Sequence, residues 1–371
     1  MRIGARTLKT GIAIFLSLVI PYLLGYPDMA ALSGISAIFS LQQSVKRSFT
    51  VVKDRVFANT LGGIIAVFVV MTIGNSFFTV ALAASVLIAM LHQLNLDRVI
   101  GLASVTLIII MLADQDQIVV EAFVRVLSTI VGVVVTFIVN SLVFPPKYEA
   151  RLLLKIENNT ADLTKYTRAS LRKNAQFSIF RSDLSSIRKE IRTQEQMLTL
   201  LIDQNSFWFF KKAYADLREV VVYRQFIQAS RSLLHLSTKL LQSENVYNHF
   251  PKEIRIIIRE RVETLMSAHE QILMKFNGRI RPNDVNFIAY KASLRKTFMG
   301  AFFTEASLEA YQRDDYGQSN TVIHLMSAIL EYEEELQQLD KLIRSYIKHH
   351  PEVYKAKTII EVETDYSDLD S

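Results

Sequence analysis

The chain of 371 residues contains no cysteine, which excludes disulfide bonds, thiolate metal sites and cysteine nucleophiles. Half of its residues are hydrophobic and its mean hydropathy is +0.22. The net charge of +6 and the pI near 9.2 would suit a nucleic-acid partner. Much of the basic excess flanks apolar runs, however, where lysine and arginine usually report membrane topology, so no nucleic-acid partner is predicted.

Six apolar segments with few charges occupy the N-terminal part of the chain. They run over 8–25, 29–45, 56–74, 77–94, 98–113 and 123–144. A transmembrane helix needs about 20 residues, so the first, third, fourth and sixth segments qualify. The second and fifth are short, and the second also carries several polar residues, so we expect neighbouring helices to shield them. Paired prolines at 145 and 146 then predict that a transmembrane domain covers 1–146.

Charged residues between the apolar segments indicate the orientation in the membrane. With six spans and an inner N-terminus, the inner side holds Arg2, Arg6, Lys9, Lys46, Arg47, Lys53, Arg55, Arg98, Lys147 and Arg151. The outer side holds mainly acidic residues, and Arg125 is the exception there. Because basic residues concentrate on the cytoplasmic side, we predict a multi-pass protein of the cell (inner) membrane with both termini in the cytoplasm.

An eight-residue pattern occurs twice in this domain and indicates an internal duplication. Residues 55–62 and 125–132 share Arg-Val, an apolar residue, a small residue, Asn or Thr, and a final Gly. Chance similarity between two apolar stretches is the alternative. Each copy would hold three spans, and an odd number of spans inverts the second copy relative to the first. The predicted domain is therefore two inverted repeats.

The two arginines that open this pattern are candidate anion-binding residues. Guanidinium groups bind carboxylates, so Arg55 at the inner mouth and Arg125 at the outer mouth would attract an organic anion. The alternative is that they anchor helix ends at the membrane interface. Topology alone accounts for Arg55 but not for Arg125, so Arg125 carries more of the functional prediction.

Polar residues of the short second segment, with their counterparts in the second copy, are candidates for lining a substrate path. The candidates are Ser36, Ser40, Gln42, Gln43, Lys46, Arg47, Ser104 and Thr106. Hydrogen bonding between helices is the alternative for the hydroxyl and amide groups, and a topology signal is the alternative for Lys46 and Arg47. Four glycines, Gly34, Gly62, Gly63 and Gly132, are predicted to let helices approach closely.

Residues 147–350 are predicted to form a cytoplasmic domain of amphipathic helices. Apolar residues recur there at spacings of three and four, most regularly from Val322 to Tyr346. The acidic tail over 351–371 is predicted to be disordered. The fold class is therefore all-α throughout, with a helical bundle after the membrane domain.

The sequence contains no motif that would indicate an enzyme. A phosphate-binding Gly-x4-Gly-Lys-Ser/Thr loop, His-Glu-x-x-His and Gly-x-Ser-x-Gly are all missing from it. His349 and His350 have no Glu-x-x-His or Cys partner nearby that would make a metal site. We therefore predict neither catalysis nor a metal or cofactor.

Two motifs resemble those of the aromatic acid exporter family, within the wider superfamily of fusaric acid resistance proteins. The family pattern is a short span ending in Gln-Pro-Ser/Thr, followed by Arg-x-x-Gly-Thr-x-x-Gly. Here the first reads Gln42-Gln43-Ser44, and the second runs from Arg55 to Gly62 with Ala58 for Gly and Asn59 for Thr. Six spans followed by a helical domain also match the layout of these exporters in Gram-positive bacteria.

The resemblance implies export of aromatic carboxylates or related weak acids, driven by an ion or proton gradient. The predicted function is thus alternating-access export of small organic anions by an oligomer, with a dimer as the simplest form. Two alternatives remain: a membrane scaffold whose cytoplasmic bundle recruits partners, and an organic-anion channel. The sequence does not separate them.

Overall fold

The computed structural model is all-α. It describes residues 5–42, 44–113, 117–143, 148–171, 177–205, 215–242, 252–281, 296, 298–300 and 316–351. These residues contain eleven long helices and no strand. They divide into two compact units, an N-terminal unit over the described part of 5–143 and a C-terminal unit over the described part of 148–351. The all-α prediction is confirmed for this part of the chain.

The N-terminal unit contains six helices in a repeated order of lengths. They are α1 Ala5–Leu23, α2 Asp28–Ile38, α3 Val45–Thr72, α4 Phe77–Gln93, α5 Ile100–Met111 and α6 Ile118–Leu142. Their lengths are 19, 11 and 28 residues, then 17, 12 and 25. This order accords with a duplication of three helices. The inversion of the second copy stays a prediction.

Two of the six helices, α3 and α6, are long and apolar enough to cross a membrane. The others are shorter apolar helices. At about 1.5 Å per residue, α2 and α5 extend only about 17 and 18 Å, against about 30 Å of hydrocarbon. The six-span arrangement therefore stays a prediction, and α2 and α5 would need to be surrounded by other helices.

The boundary between α2 and α3 differs from the predicted one. The second apolar segment was expected to run to residue 45, but α2 ends at Ile38 and α3 already begins at Val45. The side chain of Ser44 accepts a hydrogen bond of 3.2 Å from the backbone N–H of Arg47 and so caps α3. Hydropathy does not detect the first turns of α3 because their residues are polar.

Helix α3 lies at the centre of the N-terminal unit and packs against α4, α5 and α6. Helix α2 packs against α1 on one side and α6 on the other. Ala58, Leu87 and Leu107 are fully buried in the core around α3. Large apolar side chains such as Phe68 and Phe78 are exposed instead. Such a surface is typical of a protein whose outer face contacts lipid.

The C-terminal unit is a bundle of five described helices. They are α7 Tyr148–Leu171, α8 Phe177–Asn205, α9 Ala215–Gln242, α10 Lys252–Phe276 and α11 Tyr316–His349. Helix α9 packs against α7, α8 and α11. The predicted apolar stripe of α11 is buried at Leu325, Ile329, Tyr332, Leu336, Leu339, Ile343 and Tyr346. The acidic tail after Pro351 lies outside the described residues.

The core of this unit also contains buried polar groups. His269 is fully buried, and its Nδ1 lies 3.0 Å from the hydroxyl of Tyr332. Burial lowers the pKa of His269 to about 4, because a charged imidazole would lose its hydration there. Arg261 of α10 and Glu333 of α11 form an ion pair whose side chains are about 95% buried, with exposures of 5% and 4%.

Candidate anion site

Hydrogen bonds join α2 and α6. The hydroxyl of Ser33 donates to the carbonyl of Ser128 at 2.9 Å, and that of Ser36 donates to the carbonyl of Thr129 at 3.3 Å. A Cβ added at Gly132 would lie 2.3 Å from the carbonyl oxygen of Ser33, so only glycine fits there. The hydroxyls of Ser33 and Ser36 thus form hydrogen bonds between helices. For these side chains, such bonds were the alternative to lining a substrate path.

Arg55 belongs to α3, is 2% exposed, and contacts the C-terminal end of α2. Its Nη1 donates to the carbonyl of Ser36 at 2.7 Å and to the hydroxyls of Ser36 and Ser40. The last carbonyls of a helix have no partner within the helix and carry its partial negative charge. One edge of the Arg55 guanidinium therefore caps α2 from the neighbouring helix α3.

The other edge of Arg55, formed by Nε and Nη2, makes no hydrogen bond with the described residues. No described carboxylate forms an ion pair with it. A buried guanidinium without a carboxylate is costly, and two parallel N–H groups suit a carboxylate that accepts two bonds. This edge can therefore bind a small organic anion.

Asn59 lies one helical turn after Arg55 on the same face of α3. It is 2% exposed, and its Oδ1 is buried without a hydrogen-bond partner. Buried amide oxygens are normally paired, and this one is an acceptor, so a ligand would have to offer it a donor such as a hydroxyl group. Sequence reasoning missed Asn59, although it stands at the position where the family pattern has Thr.

Arg125 differs from Arg55 in having a counter-ion. Its Nε donates to Oε1 of Glu121 at 3.0 Å, one turn earlier in α6, and its side chain is 14% exposed. The charge of Arg125 is therefore balanced within its own helix. The geometry favours Arg55, more than Arg125, as the anion-binding arginine.

The remaining predicted path residues fall into different surroundings. Ser104 has a buried hydroxyl without a partner, whereas the hydroxyl of Thr106 donates to the carbonyl of Leu102 at 3.0 Å within α5. Lys46 and Arg47 are exposed in the first turn of α3. The structure thus brings together Arg55, Ser36 and Ser40. Gln43 lies outside the described residues.

The predicted packing glycines all face neighbouring helices. A Cβ would lie 2.8 Å from Leu18 at Gly34, 3.3 Å from the Ala103 carbonyl at Gly62 and 3.4 Å from Val126 at Gly63. Together with Gly132, these positions permit α2 to approach α1 and α6 closely, and α3 to approach α5 and α6.

A second buried cation, Lys9 of α1, was treated by the sequence analysis as a topology signal alone. It is 7% exposed, and its Nζ lies 3.4 and 3.5 Å from the backbone carbonyl and the Oδ1 of Asn140. Lys9, Ala13 and Ser17 recur every four residues, and all three are buried on one face of α1. That spacing is the signal that could have identified Lys9, because a helix repeats its face every three to four residues.

Comparison with known proteins gives relatives over nearly the whole chain. The family described as Aromatic acid exporter family member 1 matches residues 1–143. The UPF0421 protein YgaE of Bacillus subtilis is 33% identical over 362 residues, which cover 96% of this chain and 99% of that protein. The UPF0421 protein OB2406 of Oceanobacillus iheyensis is 30% identical over 163 residues, or 44% of this chain and 46% of that protein. The UPF0421 protein SAUSA300_1870 of Staphylococcus aureus is 32% identical over 164 residues, or 44% of this chain and 49% of that protein.

Proposed function

The chain belongs to the aromatic acid exporter family, and from that premise we propose that it exports aromatic carboxylates or other small organic acids. The family is one of exporters and not of enzymes. The observation that carries the proposal is the buried guanidinium of Arg55, which has one edge without hydrogen bonds and no carboxylate partner among the described residues. A carboxylate substrate would supply the missing negative charge.

In the proposed complex, the substrate carboxylate binds to Nε and Nη2 of Arg55, and the Oδ1 of Asn59 accepts a hydrogen bond from the hydroxyl of a hydroxylated substrate. Nη1 of Arg55 meanwhile holds the end of α2 through Ser36 and Ser40. One side chain then contacts both the substrate and the short helix. We propose that occupancy of the site is coupled to the position of α2 through this shared side chain.

The proposed architecture is a six-span unit of two inverted repeats in the cell membrane, with both termini in the cytoplasm. Alternating access between the repeats, driven by an ion or proton gradient, would carry the anion outward. Helices α2 and α5 are too short to cross the bilayer unaided. We therefore propose that further copies of the chain cover them in a homo-oligomer of two or more subunits.

The test is efflux from lipid vesicles that contain the purified full-length chain and are loaded with radiolabelled 4-hydroxybenzoate. The proposal predicts release faster than from protein-free vesicles, saturating with internal concentration. A panel of aromatic and aliphatic acids that all leak at the protein-free rate would contradict it and favour a scaffold. Unsaturable release with single-channel currents in planar bilayers would favour an anion channel.

A further inference from the structure

We propose that Lys9 is a second carboxylate-binding position on the substrate route. This inference rests on the proposed export function, since it concerns the same route as Arg55. It assigns a ligand-binding role to a residue near the start of α1.

The surroundings of Lys9 leave its ammonium group poorly satisfied. The side chain is 7% exposed, and its two hydrogen bonds, of 3.4 and 3.5 Å, both go to Asn140. Ordinary N–H···O distances are about 2.7–3.2 Å, so these bonds are long. An ammonium group has three donors, and a buried one is stable only when anions or several acceptors surround it.

No acidic residue of the described N-terminal unit balances this charge. Asp28 and Asp97 are exposed, and Asp54 is half-buried. Glu121 is also half-buried and is paired with Arg125. On the helices that pack against α1, namely α2 and α6, these acids lie at the ends far from Asn140.

Lys9 and Arg55 are the only buried charged residues among the described residues of this unit. The ion pairs of that part of the chain include neither of them. Two uncompensated cations within an apolar helical unit point to a negatively charged ligand that visits both.

Arg55 and Asn140, the partner of Lys9, both contact the short segment that connects α2 to α3. Arg55 bonds to the hydroxyl of Ser40, while Asn140 donates through Nδ2 to the carbonyl of Gln42 at 3.2 Å and to the hydroxyl of Ser48 at 2.7 Å. Ser40 and Gln42 are two residues apart, so their Cα atoms are separated by at most about 7 Å. Both cations are therefore linked to one short connection of the chain, Arg55 directly and Lys9 through Asn140.

The test compares three variants of the full chain in the 4-hydroxybenzoate efflux assay. Lys9→Gln removes the charge at similar length and should raise KM about tenfold while changing kcat less than about twofold. Lys9→Arg restores the charge and should bring KM back to within about threefold of wild type. Lys53→Gln, at an exposed lysine of α3, is the matched control and should leave KM unchanged.

A wild-type KM in Lys9→Gln, or a fall in kcat that Lys9→Arg does not reverse, would overturn the role of Lys9 and leave the export function standing. Protein-free rates for the wild-type chain with the whole panel of acids would instead contradict the export function itself. If Lys9→Gln does not fold, the wild-type chain is used instead. The rate at which a reagent methylates Lys9 is then measured by mass spectrometry with and without 4-hydroxybenzoate. Bound 4-hydroxybenzoate should slow methylation of Lys9 at least about threefold and leave Lys53 unaffected, and equal rates at Lys9 with and without the acid would refute the proposal.

Discussion

Replacement of Gly132 by alanine is expected to destabilise the contact between α2 and α6. The added Cβ would lie 2.3 Å from the carbonyl oxygen of Ser33 and 2.8 Å from the Cβ of Ser36. The first partner is backbone, so rotation of a side chain cannot relieve the clash. The two helices must therefore separate by about 1 Å to reach ordinary contact distances.

The expected cost follows from the contacts that such a separation strains. Overpacking costs about 1–3 kcal/mol, and the two hydrogen bonds from Ser33 and Ser36 are worth about 1 kcal/mol each. Alanine regains about 1 kcal/mol over glycine through its helix propensity. The net loss is about 2–4 kcal/mol, or roughly 5–15 °C in Tm for a unit of this size.

The assay is the thermal midpoint of the purified full chain in detergent, followed as the loss of the folded peak in size-exclusion chromatography. Gly11→Ala is the matched control, because no heavy atom lies within 4 Å of a Cβ built there and the residue is exposed in α1. We expect Gly11→Ala to melt at or above the wild-type temperature. A Gly132→Ala chain that melts as high as Gly11→Ala would refute the close contact of α2 with α6.

Two further predictions concern the C-terminal unit. His269 has a pKa of about 4 in the fold against 6.5 when unfolded, so stability falls as the pH drops below about 6.5, by about 2 kcal/mol at pH 5. Denaturant titrations at pH 8 and pH 5 should show this loss and a smaller one in His269→Gln; equal losses would contradict it. Arg261→Met should cost about 3–5 kcal/mol by leaving Glu333 buried without its cation, whereas Arg261→Met with Glu333→Leu should lie near wild type. A double variant as unstable as the single one would show that the ion pair is not the cause.

Helices whose buried face repeats regularly could be predicted from the sequence. In α11 the spacing of four apolar residues indicates which side of the helix faces the bundle. All four are buried, namely Leu325, Ile329, Leu336 and Ile343. The first turns of α3 could not be predicted by the same reasoning. Their polar residues lower the hydropathy although they are helical, and the cap at Ser44 depends on one local hydrogen bond.

The candidate site could be predicted only in part. The motif identified Arg55, and the spacing of Glu121 and Arg125 by four residues is readable as an ion pair. From this spacing alone, Arg125 could have been predicted to be a weaker candidate for anion binding than Arg55. The contact of Lys9 with Asn140 joins residues 131 positions apart, and a single sequence contains no signal for such a contact. Burial without a counter-ion becomes visible only when the helices are assembled.

The role of Arg55 in export is tested most directly by comparing 4-hydroxybenzoate efflux by the chains Arg55→Gln and Arg125→Gln in the same vesicles. Glutamine at 55 removes the charge and the carboxylate-binding edge. Because its side chain is two bonds shorter than that of arginine, it also loses the bond to the carbonyl of Ser36, so the thermal midpoint of each variant is measured beside its efflux. We expect Arg55→Gln to slow efflux at least about tenfold and Arg125→Gln to stay within about twofold of wild type. Wild-type efflux from Arg55→Gln, or a larger loss in Arg125→Gln, would contradict this role of Arg55.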